Sequence, residues 1–284
     1  MNRLFILHFY GILLVWMASV CCNCYAQGKE INKNDSRIVV RPVAQKNTLA
    51  VKQTVNNAAE IYAKPKVPVL CYHRIEDGRK SDYSVTPATF AAHIKVLADS
   101  GYHSILPAQL YDYLVYNKAL PEKPVMITFD DSRVEHYRIA APVMEKYGFR
   151  GVFFIMTITY NKKNYMTKEQ IAKLAKAGHV IGLHSWDHTM VTKYKDSDWV
   201  KQMSMPRKEL EKIIGMPVEY WAYPNGVYDH KATEKLSKNF KLSFILISQR
   251  DSIQPLQTIW RMIIPECTPQ RMLKSMHGIF KNGK

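Results

Sequence analysis

Two short polar clusters stand out because each follows an apolar run that reads as a buried strand. The first is Asp130-Asp131, after Val125-Met126-Ile127-Thr128-Phe129. Adjacent acids in a loop are most often a turn or a helix cap. A pair delivered by a strand end is a different case, because neighbouring carboxylates repel and one needs a cation nearby to stay ionised. A metal ion meets that need and leaves the other carboxylate free as a base. The second cluster is His184-Ser185-Trp186-Asp187-His188, after Val180-Ile181-Gly182-Leu183. Two imidazoles four residues apart can converge on one ion. With an Asp they form a two-His-one-carboxylate set with open positions, which suits zinc or another divalent transition metal holding a water. Such an ion moves the water's pKa toward neutrality and polarises a carbonyl.

The elements that must position these groups alternate along the chain. Val67-Pro68-Val69-Leu70-Cys71-Tyr72 reads as a buried strand ending in His73. Thr86-Pro87 opens a helix through Phe90, Ile94 and Leu97 that stops at Gly101. A helix through Val143, Met144 and Tyr147 ends at Gly148, and Val152-Phe153-Phe154-Ile155 is a strand. Thr167 caps a helix through Ile171 and Leu174, ending at Gly178. Helices near 197–214 and 229–239 and strands near 219–223 and 243–248 complete the alternation. Repeated strand–helix units imply a parallel sheet with helices outside, and five or more of them suggest a barrel or near-barrel. His73, Asp130, Asp131 and His184 then sit at C-terminal strand ends, where such barrels place their chemistry.

Together these residues resemble the polysaccharide deacetylase family (carbohydrate esterase family 4, the NodB-homology domain). Its Thr-Phe-Asp-Asp motif matches Thr128-Phe129-Asp130-Asp131, and its His-Ser/Thr-x-x-His motif matches His184-Ser185-Trp186-Asp187-His188. The resemblance covers about 66–284. It implies an α/β fold, a distorted parallel (β/α)7 barrel forming a single catalytic domain. It also implies Asp130 as general base and Asp131, His184 and His188 as ligands of a divalent metal, zinc being the first expectation. The substrate it implies is an acetylated amino-sugar polysaccharide, hydrolysed at its N-acetyl groups to release acetate.

The chain departs from the family pattern at several places. At the Arg-x-Pro-Tyr motif it has Ala222-Tyr223-Pro224-Asn225-Gly226, with Ala at the Arg position and Asn at the Tyr position. The Asn225 backbone N–H could still serve as oxyanion donor. Arg261, in Trp260-Arg261-Met262, is the candidate to replace the missing Arg beside the base; a surface or sheet-end role is the alternative. Ser132 stands where a Gly usually follows the acid pair. For the acid, Val69 to Ile75 with Tyr72-His73 resembles the opening strand of the biofilm-type poly-β-1,6-N-acetylglucosamine deacetylases, whose motif order is circularly permuted. His73 is therefore preferred over the late His277. A non-catalytic glycan-binding relative, and deacetylation of xylan or peptidoglycan, remain the competing readings.

Bulk properties frame this. Arg3, the apolar stretches Leu4–Leu7 and Ile12–Val20, and then Cys24-Tyr25-Ala26 have the layout of a secretory signal peptide over 1–26. A secreted or periplasmic location follows, and a lipid-anchored form on Cys21, Cys22 or Cys24 is the alternative. Residues 27–65 are polar and read as a linker or loosely docked arm, and 66–284 as the catalytic domain. The formal charge is +16, from 40 Lys+Arg against 24 Asp+Glu. Such a surface attracts anionic polymers or membranes, so peripheral membrane association is open. No zinc-finger, RNA-binding or basic heptad signature supports a nucleic-acid partner. Of five Cys, Cys71 and Cys267 lie beyond the leader. A disulfide between them and two free thiols are both open.

Overall fold

The computed structural model describes residues 54–78 and 81–280. The leader and the arm up to residue 53 lie outside the described residues. Among the described residues, no helix is long and apolar enough to cross a membrane.

Eight strands run parallel in one continuous order: β1 (Val69–Tyr72), β2 (Pro124–Phe129), β3 (Val152–Ile155), β4 (Val180–Leu183), β5 (Tyr220–Ala222), β6 (Leu242–Ile245), β7 (Ile259–Trp260) and β8 (Met262–Ile263). Spatially the order is β7-β6-β5-β4-β3-β2-β1-β8. The two ends of this sheet belong to one stretch of chain, interrupted only at Arg261. Ile259 and Trp260 pair with Phe244 and Ile245, while Met262 and Ile263 pair with Leu70 and Cys71. One segment thus touches both the last and the first strand and nearly closes a barrel of seven staves. Most strands are buried along their whole length, as VLCY and VFFI are. That is the pattern of a parallel sheet covered on both faces.

Strand alternation sorts the core into two clusters. Leu70, Tyr72, Ile127, Phe129, Phe153 and Leu183 pack with Phe90, Ile94, Ile171, Leu174, Leu210 and Leu236 of the surrounding helices. Their neighbours Val69, Met126, Val152, Phe154, Leu242 and Phe244 form the other cluster, joined by Ile61, Leu110 and Leu114. Ile61 comes from a short helix, Ala58–Ala63, and Leu110 and Leu114 from Pro107–Tyr116. The sequence offers a signal for the first: Asn57 and Glu60 form a capping box, with the Asn57 side chain accepting the Glu60 N–H. Asn56 also donates its backbone N–H to Val115 O at 2.8 Å and its side-chain amide to Leu114 O at 2.7 Å. The last ten residues of the arm region are therefore docked on the barrel. A further helix spans Pro269–Phe280. His277 lies in it, exposed, its Nε2 2.9 Å from Tyr102 Oη and on the helical layer rather than at the strand ends.

Gly182 on β4 is a packing requirement. A Cβ there would meet Phe154 Cδ1 at 2.5 Å and Tyr220 O at 3.1 Å. Phe154 is fully buried and carries the Arg261 guanidinium over its ring at 5.3 Å. Gly182→Ala should therefore lower stability by about 1–3 kcal/mol, the usual cost of overpacking. Chemical denaturation measures it; an unchanged midpoint and slope would show that Phe154 can yield freely.

Candidate active site

The strand ends deliver the expected side chains to one cleft of about 350 Å³, lined by His73, Arg74, Tyr83, Asp130, Asp131, His184, His188 and Asn225 among others. Asp130 and Asp131 follow β2, His184 follows β4, His73 follows β1, and Asn225 lies after β5. The local backbone is unusual. Among the described residues, five of the nine non-glycine residues with positive φ are Asp131 (71°), Ser132 (59°), Ser185 (64°), His188 (69°) and Asn225 (58°). Each such conformation costs on the order of 1–3 kcal/mol and persists only where surrounding contacts impose it. Ser132 shows how: it occupies the left-handed region that a Gly would take at no cost, and its Oγ accepts the Met156 N–H at 2.7 Å. Ser185 does the same for the histidine loop, its Oγ accepting the His188 N–H at 2.9 Å and folding His188 back toward His184.

Asp131, His184 and His188 form one cluster. Asp131 Oδ1 lies 3.5 Å from Nε2 of both imidazoles. Ligands bound tetrahedrally at about 2.0–2.2 Å stand roughly 3.3–3.6 Å from one another, so this spacing fits a shared ion. Two further observations test the fit. Asp131 Oδ1 and His184 Nε2 are buried and have no hydrogen-bond partner. His184 Nδ1 donates to Ala222 O at 2.8 Å, which fixes the tautomer with the Nε2 lone pair toward Asp131. Electrostatics agree. Burial would lower the His184 pKa, but Asp130 and Asp131 more than reverse this and raise it. The cluster therefore attracts positive charge, and a divalent ion fits it.

Asp130 is 1% exposed and is gripped by Arg261, which is fully buried. Nη1 and Nη2 of Arg261 donate to Oδ1 and Oδ2, each at 2.7 Å, and Nη1 also reaches Thr128 Oγ1 at 3.2 Å. Arg261 thus stands beside the base candidate, brought there by the closing segment, and is not a surface residue. Burial alone would raise the Asp130 pKa; the Arg261 guanidinium, with His184 and His73, holds it well below its ordinary 3.8. A depressed carboxyl contributes stability above its unfolded pKa and loses it as pH falls through the folded value. The pair therefore supports the fold throughout the range above pH 4. Arg261→Met should cost about 3–5 kcal/mol by stranding a buried carboxylate. Arg261→Lys, which keeps the charge but not the fork, should cost less. Denaturation midpoints of both variants check this.

His73 Nε2 lies 3.8 Å from Asp130 Oδ2. Its ring packs edge-on against Tyr83 at 5.1 Å, and its backbone carbonyl accepts from His136 Nε2 at 2.5 Å. Burial pushes the His73 pKa down, with Asp130 and Asp131 partly offsetting it. Cys71 and Cys267 are both free. Cys71 Sγ reaches Asp130 Oδ2 at 3.6 Å. Sequence reasoning missed Cys71, Tyr83 and His136. Cys71 had a signal, since it shares its strand face with His73 two residues on. Tyr83 had none, because the short pairing of Arg74–Ile75 with Ser84–Val85 brings it in.

This barrel, with paired acids and paired histidines at its strand ends, has the form of a polysaccharide deacetylase domain. The polysaccharide deacetylase family model matches residues 117–243, the stretch that holds Asp130, Asp131, His184 and His188. Among individual proteins, it is 32% identical over 173 residues to YxkH of Bacillus subtilis (strain 168), named for polysaccharide deacetylation; the match covers 60% of this chain and 61% of that one. It is 24% identical over 217 residues to the poly-beta-1,6-N-acetyl-D-glucosamine N-deacetylase of Staphylococcus aureus, covering 69% of this chain and 73% of the relative. Among solved structures, IcaB from Ammonifex degensii is similar with a TM-score of 0.62 and 26% identity, over 75% of this chain and 96% of that one. The Streptococcus pyogenes deacetylase PplD shares the fold with a TM-score of 0.70 at 23% identity, over 75% and 99% of the two chains.

Proposed function

We propose that this protein hydrolyses N-acetyl groups on an N-acetylglucosamine-containing polysaccharide and releases acetate. The observation that carries the reading is the convergence, in one cleft, of the Asp131–His184–His188 cluster with a braced carboxylate, Asp130, and an imidazole, His73. The similarity to the Staphylococcus aureus enzyme supports the choice of polymer. A second cleft of about 340 Å³ shares Arg74, Asp131 and His188 with the first, so a chain of sugars can lie across the site.

Asp131, His184 and His188 would hold a divalent ion, zinc being the best match to the donors. Bound there, it would supply Lewis-acid activation of water and of the acetyl carbonyl. Asp130 takes the proton of the attacking water. Its carboxyl sits far below the usual range, so it is a weak base that gives the proton up readily. His73, whose Nε2 lies 3.8 Å from Asp130 Oδ2, receives that proton. It then protonates the leaving amine as the C–N bond breaks, giving acetate and a free amino sugar. Asn225, which lines the cleft, would offer its backbone N–H to the developing oxyanion. Export through the leader would deliver the enzyme to the cell envelope; the mass of the exported protein tests cleavage after Ala26.

Acetate release from a panel of acetylated glycans, with and without chelator, tests the activity. Turnover of xylan or peptidoglycan in preference to the β-linked N-acetylglucosamine polymer would reassign the substrate; glycan binding without any release would make the chain a binding relative. His73→Ala should lower turnover of an N-acetyl glycan by about 10²-fold or more, a usual size for losing general acid catalysis. An activated acetyl ester, whose leaving group needs no proton, should suffer much less. His277→Ala should leave both rates within a few-fold, and the reverse pattern would move the acid to the late histidine.

A further inference from the structure

We propose that Cys71 is a positioning residue that links Asp130 to His73 and fixes which nitrogen of His73 carries its proton. The proposal rests on the deacetylase reading for the roles of those two groups, and on the following contacts for its own content. Cys71 is fully buried on β1, opposite Thr128 on one side and Ile263 on the other. Its sulfur lies 3.6 Å from Asp130 Oδ2 and 3.9 Å from His73 Nδ1. A thiol is a weak donor and a weak acceptor, and here each capacity has one partner.

The direction of the two contacts follows from charge. Both oxygens of Asp130 accept from Arg261, so Asp130 is an ionised acceptor and cannot donate. The thiol proton must therefore point at Oδ2. The sulfur lone pairs are left for Nδ1, which in turn must be the protonated nitrogen of His73. Nε2 then carries the lone pair, on the side of the ring that lies 3.8 Å from Asp130 Oδ2. That is the tautomer needed to receive a proton from Asp130 and pass it to an amine. The other tautomer, with Nε2 already protonated, could not take it. Among the described residues no other hydrogen-bond partner is found at Nδ1. Burial, with the Asp130 charge, outweighs Arg261 and keeps the sulfur a thiol, so it can donate and is a poor nucleophile.

Cys71→Val keeps the volume and removes both contacts; Cys71→Ser restores a donor and an acceptor. Cys71→Val should lower kcat on an N-acetyl glycan by about tenfold, a part of the roughly 10²–10⁴ that a whole acid–base group supplies. KM, metal content and hydrolysis of an activated acetyl ester should stay within about two-fold, and Cys71→Ser should recover most of the loss. In parallel, the imidazole 15N spectrum should show His73, assigned against His73→Gln, in the Nδ1–H form in the parent and shifted toward Nε2–H in Cys71→Val. An unchanged rate and tautomer in Cys71→Val overturns the proposal. So does an equal loss on both substrates, or a Ser variant no better than Val. If Cys71→Val does not fold, Cys71→Ala takes its place. Were the parent to release no acetate from any glycan, the deacetylase reading would fall, while the 15N measurement would still decide whether Cys71 sets the His73 tautomer.

Discussion

His184→Ala and His188→Ala should each lose most of the bound metal and nearly all turnover. Removing an outer partner of a metal ligand already costs about 10–100-fold in affinity or activity, so loss of a ligand itself should exceed about 100-fold. Two remaining donors hold an ion poorly. The two variants should not be equal. His184 is 1% exposed and locked by its bond to Ala222 O, whereas the His188 side chain is 32% exposed and is held by a loop. A water can take the place of His188 more easily than that of His184, so His188→Ala should retain more metal. Metal analysis by mass spectrometry beside acetate release tests both statements. Full activity in a thoroughly chelated sample would sink the metal mechanism, and equal metal in both variants would remove the proposed inequality.

The second large effect separates two adjacent carboxylates. Asp130→Asn should lower kcat by roughly 10²–10⁴, the span of lost general base catalysis, while metal content stays near that of the parent. Asp131→Asn should lower the metal content itself and lose activity through it. The structure gives the reason. Asp130 spends both oxygens on Arg261, whereas Asp131 Oδ1 is the atom facing both imidazoles. Asp130→Asn also leaves Arg261 with an imperfect partner in a dry site, so a lower denaturation midpoint should accompany the loss of rate. Asp131, whose side chain is 26% exposed, should show little of this. Equal metal and equal activity in the two variants would break the assignment.

How far this arrangement could be read in advance depends on the range of the interaction. The motif residues and their strand ends were legible, because a buried parallel strand writes itself as an apolar run and the first polar residue after it must lie at the mouth. The strand Val152–Ile155, the strand Val180–Leu183 and the Thr167 cap of Lys168–Lys176 all lie where the pattern put them. The docked helix Ala58–Ala63 was also written locally, in its Asn57–Glu60 capping box, although its flanks carry no apolar period. Arg261 is the opposite case. Its neighbours Ile259–Trp260 and Met262–Ile263 are too short to read as strands, and 131 residues separate it from Asp130. Only barrel closure, which makes one segment pair with both β6 and β1, decides that the guanidinium points at the base and not at solvent. The same holds for the positive φ at Ser132 and the contact of Cys71 with Asp130. Local residue patterns are enough to say which groups can do chemistry and on which strands they end. Their partners depend on how the barrel closes, because a buried charge takes whichever opposite charge the closed barrel brings within reach, and no local spacing encodes that distance.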